Sequence, residues 1–332
     1  MRRCAIAAVI VLAANSSWAQ HFILPSDYVP TKAIFVVHDD IGRPVANAEI
    51  EGGFRDVTNA GSRDRFVGRT DTNGVFAAKG ETMLNVGGRI TANGYYPTIV
   101  EVPLDRKNGT TLPQWDVEIP VLLKRIRNPI PMYSRDVENP YISAFESVGK
   151  YRLAGTSMYD IVNGNFLPPH GKGTVADLFY NWKMTIYSTN KVGRALDKDM
   201  FLEVLMTNVL DGICKGIPDG GRGQNRNEGS AYISAYEAPA DGYTNVISLY
   251  WRVHGTKAES NDDQHYLYYF RIRTQTNEMG QVTNALYGKI YGQINGNFTY
   301  FLNPTPNDRN VEFDPSRNLF TDLKSTARVT DP

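Results

Sequence analysis

The chain has 332 residues, 42% of them apolar and 11% aromatic, and its 35 basic and 35 acidic residues sum to a formal charge of +0. This is the make-up of a folded protein of about two domains, too apolar for a disordered chain and too interrupted by charge for a membrane bundle. Without net positive charge it carries no electrostatic footprint for nucleic acid or for an anionic membrane surface.

Arg2 and Arg3 precede an unbroken apolar run at residues 4–14, and small Ser17 and Ala19 stand at the −3 and −1 positions before Gln20. That is the pattern of a secretory signal peptide over residues 1–19, too short to span a bilayer. It predicts an exported protein, periplasmic or extracellular. Cleavage would remove both arginines, leaving a charge of about −2 and Cys214 as the remaining cysteine. Neither an internal disulfide nor a cysteine-based metal site is then expected. No later stretch reaches 18 consecutive apolar residues, so no integral membrane segment is expected after cleavage.

Residues 28–126 read as a β-domain. Residues 31–37 are apolar and β-branched and form a central strand. His38-Asp39-Asp40-Ile41-Gly42 turns the chain, the carboxylates bonding local N–H groups and Gly42 supplying a positive φ. Residues 45–50 alternate as the next strand, and 70–74 read as a hairpin with Asn73-Gly74 at its tip. Further strands are expected at 98–102, after Gly94-Tyr95-Tyr96-Pro97, and at 115–123. Asp71-Thr72-Asn73-Gly74 lacks the alternating acids and distal Glu of a calcium loop, so its polar groups are turn formers.

The strand before Asp39-Asp40-Ile41-Gly42, the step Pro44-Val45-Ala46-Asn47-Ala48, the run Thr70-Asp71-Thr72-Asn73-Gly74-Val75-Phe76 and the pair Gly94-Tyr95 follow one another in a recognisable order. Over residues 31–123 the chain resembles the carboxypeptidase regulatory-like domain, a transthyretin-like β-sandwich related to the B-type repeats of bacterial surface adhesins. The resemblance implies a sandwich that serves as a non-catalytic spacer or binding module.

Residues 127–140 hold Pro129, Pro131 and Pro140 and read as an extended connector, because proline removes ladder donors. Residues 141–332 read as a second, larger β-sandwich or jelly roll. Strands are expected at 175–187, 199–207, 231–236, 245–254, 264–274, 285–293 and 297–302. A turn at Asn277-Glu278-Met279-Gly280 joins two of them, and polar residues 303–332 are expected to wrap the surface and fray. The expected fold class is therefore all-β throughout.

Complete catalytic motifs are missing. The Gly-Lys pair at Gly171-Lys172 has Phe166 and Gly173 where a phosphate loop needs Gly and Ser or Thr. Ser147-Val148-Gly149-Lys150 has no later Lys-Thr-Gly. Residues 211–229, with six glycines, Arg222 and Arg226, read as a solvated connection. Glu259, Asp262, Asp263 and His265 read as a polar hairpin tip, since the single His lacks a paired ligand. No metal and no cofactor is expected.

Between Tyr232 and Phe301 stand 14 aromatic residues. Tyr269, Arg271 and Arg273 share one face of a strand, and Tyr250 and Arg252 share a face of another. Together these five form a candidate aromatic-cationic platform for a sugar ring or peptide, with core packing as the competing use of the tyrosines. The resulting expectation is an exported, non-catalytic binding or structural protein of the envelope, with a glycan or an envelope protein as partner. The alternative is a glycan- or ester-directed hydrolase using Asp177, Glu203 or Asp263, which requires two carboxylates facing each other. Asn108-Gly109-Thr110 and Asn297-Phe298-Thr299 match the N-glycosylation pattern.

Overall fold

The computed structural model describes residues 28–55, 62–104, 114–138, 146–149, 152–190, 195–219, 228–263 and 266–332. The expected signal peptide, Asn108, Lys150, Arg222, Arg226 and His265 lie outside the described residues. Among the described residues all regular structure is β, apart from one 3₁₀ turn at Ser325–Ala327. The first strands are β1 (Val29–Asp39), β2 (Glu49–Arg55), β3 (Ser62–Arg69), β4 (Val75–Thr82), β5 (Asn85–Thr91), β6 (Thr98–Pro103) and β7 (Trp115–Leu123). Then come β8 (Ile130–Val137), β9 (Glu146–Gly149), β10 (Arg152–Asp160), β11 (Asn165–Phe166), β12 (Leu178–Thr189), β13 (Ala195–Met206) and β14 (Gly212–Lys215). The last are β15 (Gly229–Ser230), β16 (Val246–His254), β17 (Lys257–Ser260), β18 (Leu267–Thr276), β19 (Val282–Gly292), β20 (Phe298–Leu302) and β21 (Phe313–Asn318).

Two sheets face each other in the first part of the chain. One has the order β4-β1-β7, with β7 parallel to β1, and the other the order β15-β6-β5-β2-β3. Strand β1 alternates strictly, so Ala33, Phe35 and Val37 point inward to meet Ile50, Phe54, Ile90 and Ile119. Strand β2 starts at Glu49 rather than 45, because Asn47 takes a left-handed φ of 58°. Strands β3 and β5 were not anticipated. A Cβ on Gly52 would stand 2.2 Å from the Gly87 carbonyl oxygen and 2.6 Å from the Phe66 ring, so glycine is needed where strand propensity argues against it. The expected hairpin at 70–74 is a turn between sheets, since β3 belongs to one and β4 to the other. Its Asp71 carboxylate accepts the N–H groups of Asn73 and Val75, both at 2.9 Å.

The second pair of sheets has the orders β11-β10-β12-β13-β16-β17, with β9 on β10, and β14-β18-β19-β20-β8-β21. Between them lies a large core that includes Tyr180, Leu202, Val204, Phe270, Ile290 and Tyr300. The β18–β19 hairpin turns at 277–280 as its sequence predicts.

Three expectations need correction. Residues 127–140 are more than a connector: β8 pairs antiparallel with β20 and parallel with β21. Pro129 and Pro131 precede the antiparallel ladder at Tyr133, a position where a strand tolerates proline. Residues 231–236 form no strand. They belong to an irregular layer over the outer face of the six-stranded sheet, with Ala238 N–H bonded to Arg309 O and Val311 N–H to Tyr236 O. Residues 303–332 are part of the packing, with Val311 and Phe313 fully buried, because the outer face of that sheet is apolar and must be covered.

The two pairs of sheets meet through polar groups. Glu312, 1% exposed, accepts the Tyr96 hydroxyl at 2.9 Å and the N–H groups of Arg127 and Asn128 at 2.9 and 2.6 Å. The Tyr96 and Tyr232 rings stack at 4.9 Å. Arg125 pairs with Asp39 at 2.5 Å and Arg127 with Asp40 at 2.6 Å.

Asp39, whose partners Arg43 and Arg125 belong to the first sandwich, gives that sandwich a pH dependence. Burial pushes its carboxyl up, but the N–H groups of Arg43 and Ile41 and the side chains of Arg125 and Arg43 outweigh that and hold it at about 2, below the usual 3.8. A lowered carboxyl contributes stability above its unfolded value and loses it as the pH falls toward the folded one. Thermal melts should therefore show a drop in Tm between about pH 4 and pH 2. Asp39→Asn is expected to lower the Tm by a few degrees at pH 7 and to flatten that drop.

Candidate functional site

The concave site forms where the two sheets of the second sandwich stop matching. In β12, residues Leu178, Tyr180, Trp182 and Met184 point inward by strand alternation. Trp182 lies opposite Leu202 on β13, and Leu202 opposite Leu249 on β16. This row is closed over, at 2%, 3% and 7% exposed. One step along, Met184 lies opposite Met200, and Met200 opposite Trp251. This second row is only half-buried.

The cover ends because the opposite sheet turns back. Gly292, the last residue of β19, takes a φ of 107°, Gly296 N–H bonds to Gln293 O at 2.9 Å, and the chain returns as β20. Ile294 is fully buried and anchors this turn in the core. Gln293, Asn295 and Gly296 then overlook Trp182, Met200, Leu202 and Trp251 across a cleft of about 310 Å³. The Asn295 amide is fixed by its Nδ2, which donates to Asp262 Oδ2 at 2.9 Å.

None of the lining residues titrates. The half-buried Trp251 indole, the Met200 thioether and two amides can stack and hydrogen-bond and do no acid–base work, with closed-over Trp182 beneath them. The volume is at the lower end of the range of ligand pockets, about 300–1,000 Å³, and suits one ring at a time.

The five platform candidates do not share a face. Tyr269 is 3% exposed, its hydroxyl accepts the Ala235 N–H at 2.7 Å, and the irregular layer lies over it. It offers no ring to solvent, which corrects the expected platform. Arg271 lies over the Tyr243 ring at 5.1 Å and donates to Leu210 O at 2.9 Å. Arg273 sits at a β-bulge with a φ of 55° and pairs with Asp160 at 3.0 Å and Asp177 at 3.1 Å. Tyr250 and Arg252 do stay together, on the outer face of the seven-stranded sheet. There the Arg252 guanidinium lies over Tyr250 at 4.8 Å and Phe201 at 5.4 Å.

The three acidic candidates have separate surroundings. Asp177 is 2% exposed against Arg273, and burial, only partly offset by that guanidinium, pushes its carboxyl up. Glu203 accepts from Asn181 at 3.0 Å on the outer face of β13, and Asp263 pairs with Lys215 at 2.5 Å. Cys214 is half-buried, and burial pushes its thiol up to about 11. Asn297 is exposed. Strand alternation within the expected strand at 175–187 puts Trp182 on an apolar face, but alternation alone does not reveal the cleft. The available signal was a tryptophan on each of two inward strand faces, with a turn carrying two amides between 292 and 297.

The most perturbed amine lies elsewhere. Lys289 is fully buried, donates to Tyr291 Oη at 2.8 Å and Ser234 Oγ at 3.2 Å, and faces the Tyr232, Tyr291 and Phe301 rings. Burial first, and then the charge of Lys124, holds it well below the usual lysine value. Lys124 is itself buried, bonded to Ser234 O at 2.6 Å and to Asp219. Both amines lie between the six-stranded sheet and the irregular layer over it.

No family model and no curated protein matches the chain. Solved structures do. A 3-chlorocatechol 1,2-dioxygenase from Rhodococcus opacus 1CP is 14% identical over 29% of this chain and 60% of its own, with a TM-score of 0.24. A DUF3823 family protein from Parabacteroides merdae is 7% identical over 86% of this chain and 99% of its own, with a TM-score of 0.21. The major pilin subunit of Bacillus cereus is 12% identical over 85% and 95%, with a TM-score of 0.23. The chain spans about three fifths of the length of the dioxygenase. At such TM-scores these likenesses carry no argument about function.

The burial of Lys289 supplies a test. Lys289 binds its proton less readily in the native state than when unfolded, so stability should rise as the pH climbs toward the usual lysine value of 10.5. Lys289→Met should raise the Tm at pH 7 and remove most of that rise, as read by melts from pH 6 to pH 10.

Proposed function

We propose that this chain is an exported, non-catalytic binding protein of the cell envelope, holding a glycan in the tryptophan cleft. One observation carries the reading: in an inward-facing row, Met200 and Trp251 are left half-covered beside two amides. A pyranose ring has an apolar face that stacks on an indole and hydroxyls that pair with amides, so the cleft matches it in both respects. The basic, apolar and small-residue pattern of residues 1–19 supports export. On this reading residues 28–126 are a regulatory-like spacer that presents the binding module at 141–332, to which β8 belongs. The motif order at 31–123 supports that assignment.

Tryptophan fluorescence titrations against a soluble oligosaccharide panel test the proposal. Trp251→Ala should weaken binding about tenfold or more, equivalent to ~1.4 kcal/mol, with little change in Tm. Tyr250→Ala, on the outer face, should leave binding intact. The reverse pattern would move the site to the outer face, and a wild-type protein that binds no glycan would end the reading.

A further inference from the structure

The uncovered part of the inner face extends beyond the cleft. Ile186, Lys198 and Val253 lie two residues away from Met184, Met200 and Trp251, on the same face and about 7 Å further along the strands. Ile186 stands opposite Lys198 and Lys198 opposite Val253, so the three form a row about 10 Å wide, two strand spacings. All three are half-buried, and none of them lines the cleft itself. The regular face ends at this row: β12 and β13 shift register between Ile186 and Ser188, and β16 stops at His254.

The row repeats the chemistry of the cleft without an indole. Two β-branched side chains flank a lysine whose aliphatic stem adds apolar surface and whose amine donates hydrogen bonds. A sugar unit offers its apolar ring face to the former and its hydroxyl oxygens to the latter. Direction follows from the cover. On one side of the cleft Trp182 and Leu202 are closed over, and Gln293, Asn295 and Gly296 overlook the opening. A glycan with one ring over Met200 and Trp251 therefore continues along the strands toward Ile186, Lys198 and Val253, where the face is open.

We infer, on the glycan reading above, that Ile186, Lys198 and Val253 form a second sugar subsite, so that the protein holds two consecutive units. The glycan then runs along β13, from the cleft toward the turn that joins β16 to β17.

The test is the dependence of affinity on chain length. Tryptophan fluorescence titrations compare glucose, cellobiose and cellotetraose, with the matching malto- and manno-series. In a series that binds, the disaccharide should bind about tenfold or more tighter than its monosaccharide, a difference of ~1.4 kcal/mol. The tetrasaccharide should add less than about threefold to that. Ile186→Thr combined with Val253→Thr removes apolar surface and keeps the β-branching that suits a strand. This double variant should bring the disaccharide to within about threefold of the monosaccharide, whose own affinity should not change. Lys198→Ala should weaken the disaccharide alone. Tyr187→Ala, on the outer face of the same hairpin and 57% exposed, should change neither affinity.

A wild type with equal affinity for monosaccharide and disaccharide overturns the inference, as does a double variant that keeps the full advantage. Unchanged disaccharide affinity in Lys198→Ala overturns the part given to the lysine. A tetrasaccharide that gains a further tenfold overturns the limit of two units. If Tyr187→Ala loses as much as the double variant, the placement on the inner face is overturned. Binding of no series, or unchanged monosaccharide affinity in Trp251→Ala, overturns the glycan reading itself. Those results are distinguishable from the others, each of which requires binding at the cleft.

Discussion

An apolar sheet face must be covered, and in this protein the cover and the face differ in length. Strands β12 and β13 each run 12 residues, while the strand that returns over them, β20, runs five. Water is excluded wherever the two sheets overlap, which is where Tyr180, Leu202 and Tyr300 lie. Beyond the overlap the inward row continues with Met184, Met200 and Trp251, because alternation along a strand does not stop where its partner sheet does. The cleft is the remainder of that mismatch. Its polar rim follows from the same cause, since a turn that ends a covering sheet is built from residues such as Gln293, Asn295 and Gly296.

The same requirement explains the other face of the six-stranded sheet. Leu267, Tyr269, Ala285 and Tyr287 point away from the main core and would be exposed in a simple two-layer sandwich. Residues 231–244 and the C-terminal segment close over them. That third layer brings polar groups inside, and they are paired: Ser234 bonds Lys289 and Tyr291, and Tyr291 accepts from Lys289. The layer also reaches the first sandwich, where β15 extends the sheet at β6 and Glu312 binds Tyr96 and the backbone at 127–128. A buried carboxylate that satisfies three donors fixes relative position more strictly than apolar contact would. The first sandwich is thereby tied to the second by directional hydrogen bonds.

Much of this was legible in the sequence. Alternation located β1, β7, β12, β13, β16, β18, β19 and β20, because each has one clearly apolar face or is apolar on both. Several strands are not announced by the sequence, β8, β10, β14, β17 and β21 among them in the second sandwich, and in the first β2 in part, β3 and β5, which are rich in glycine or charge. They are strands for tertiary reasons, such as the close approach of Gly52 to Gly87 and Phe66. The site was less legible. Tyr269 and Trp251 both occur in alternating aromatic strands, and nothing local distinguishes the ring that a third layer buries from the ring that a short cover leaves open. That difference depends on where residues 231–244 and 293–296 come to rest, which is set by contacts distant in sequence.

The claim that the exposed end of the inner face is the binding surface can be tested most directly through the tryptophan indole N–H signals in a ¹H–¹⁵N spectrum. After removal of residues 1–19 the chain retains Trp115, Trp182 and Trp251, the first in the N-terminal sandwich and the other two in the cleft. On titration with a bound oligosaccharide, the signals of Trp251 and Trp182 should shift while that of Trp115 stays in place. Binding with both cleft signals unmoved, or with Trp115 alone shifting, would contradict it.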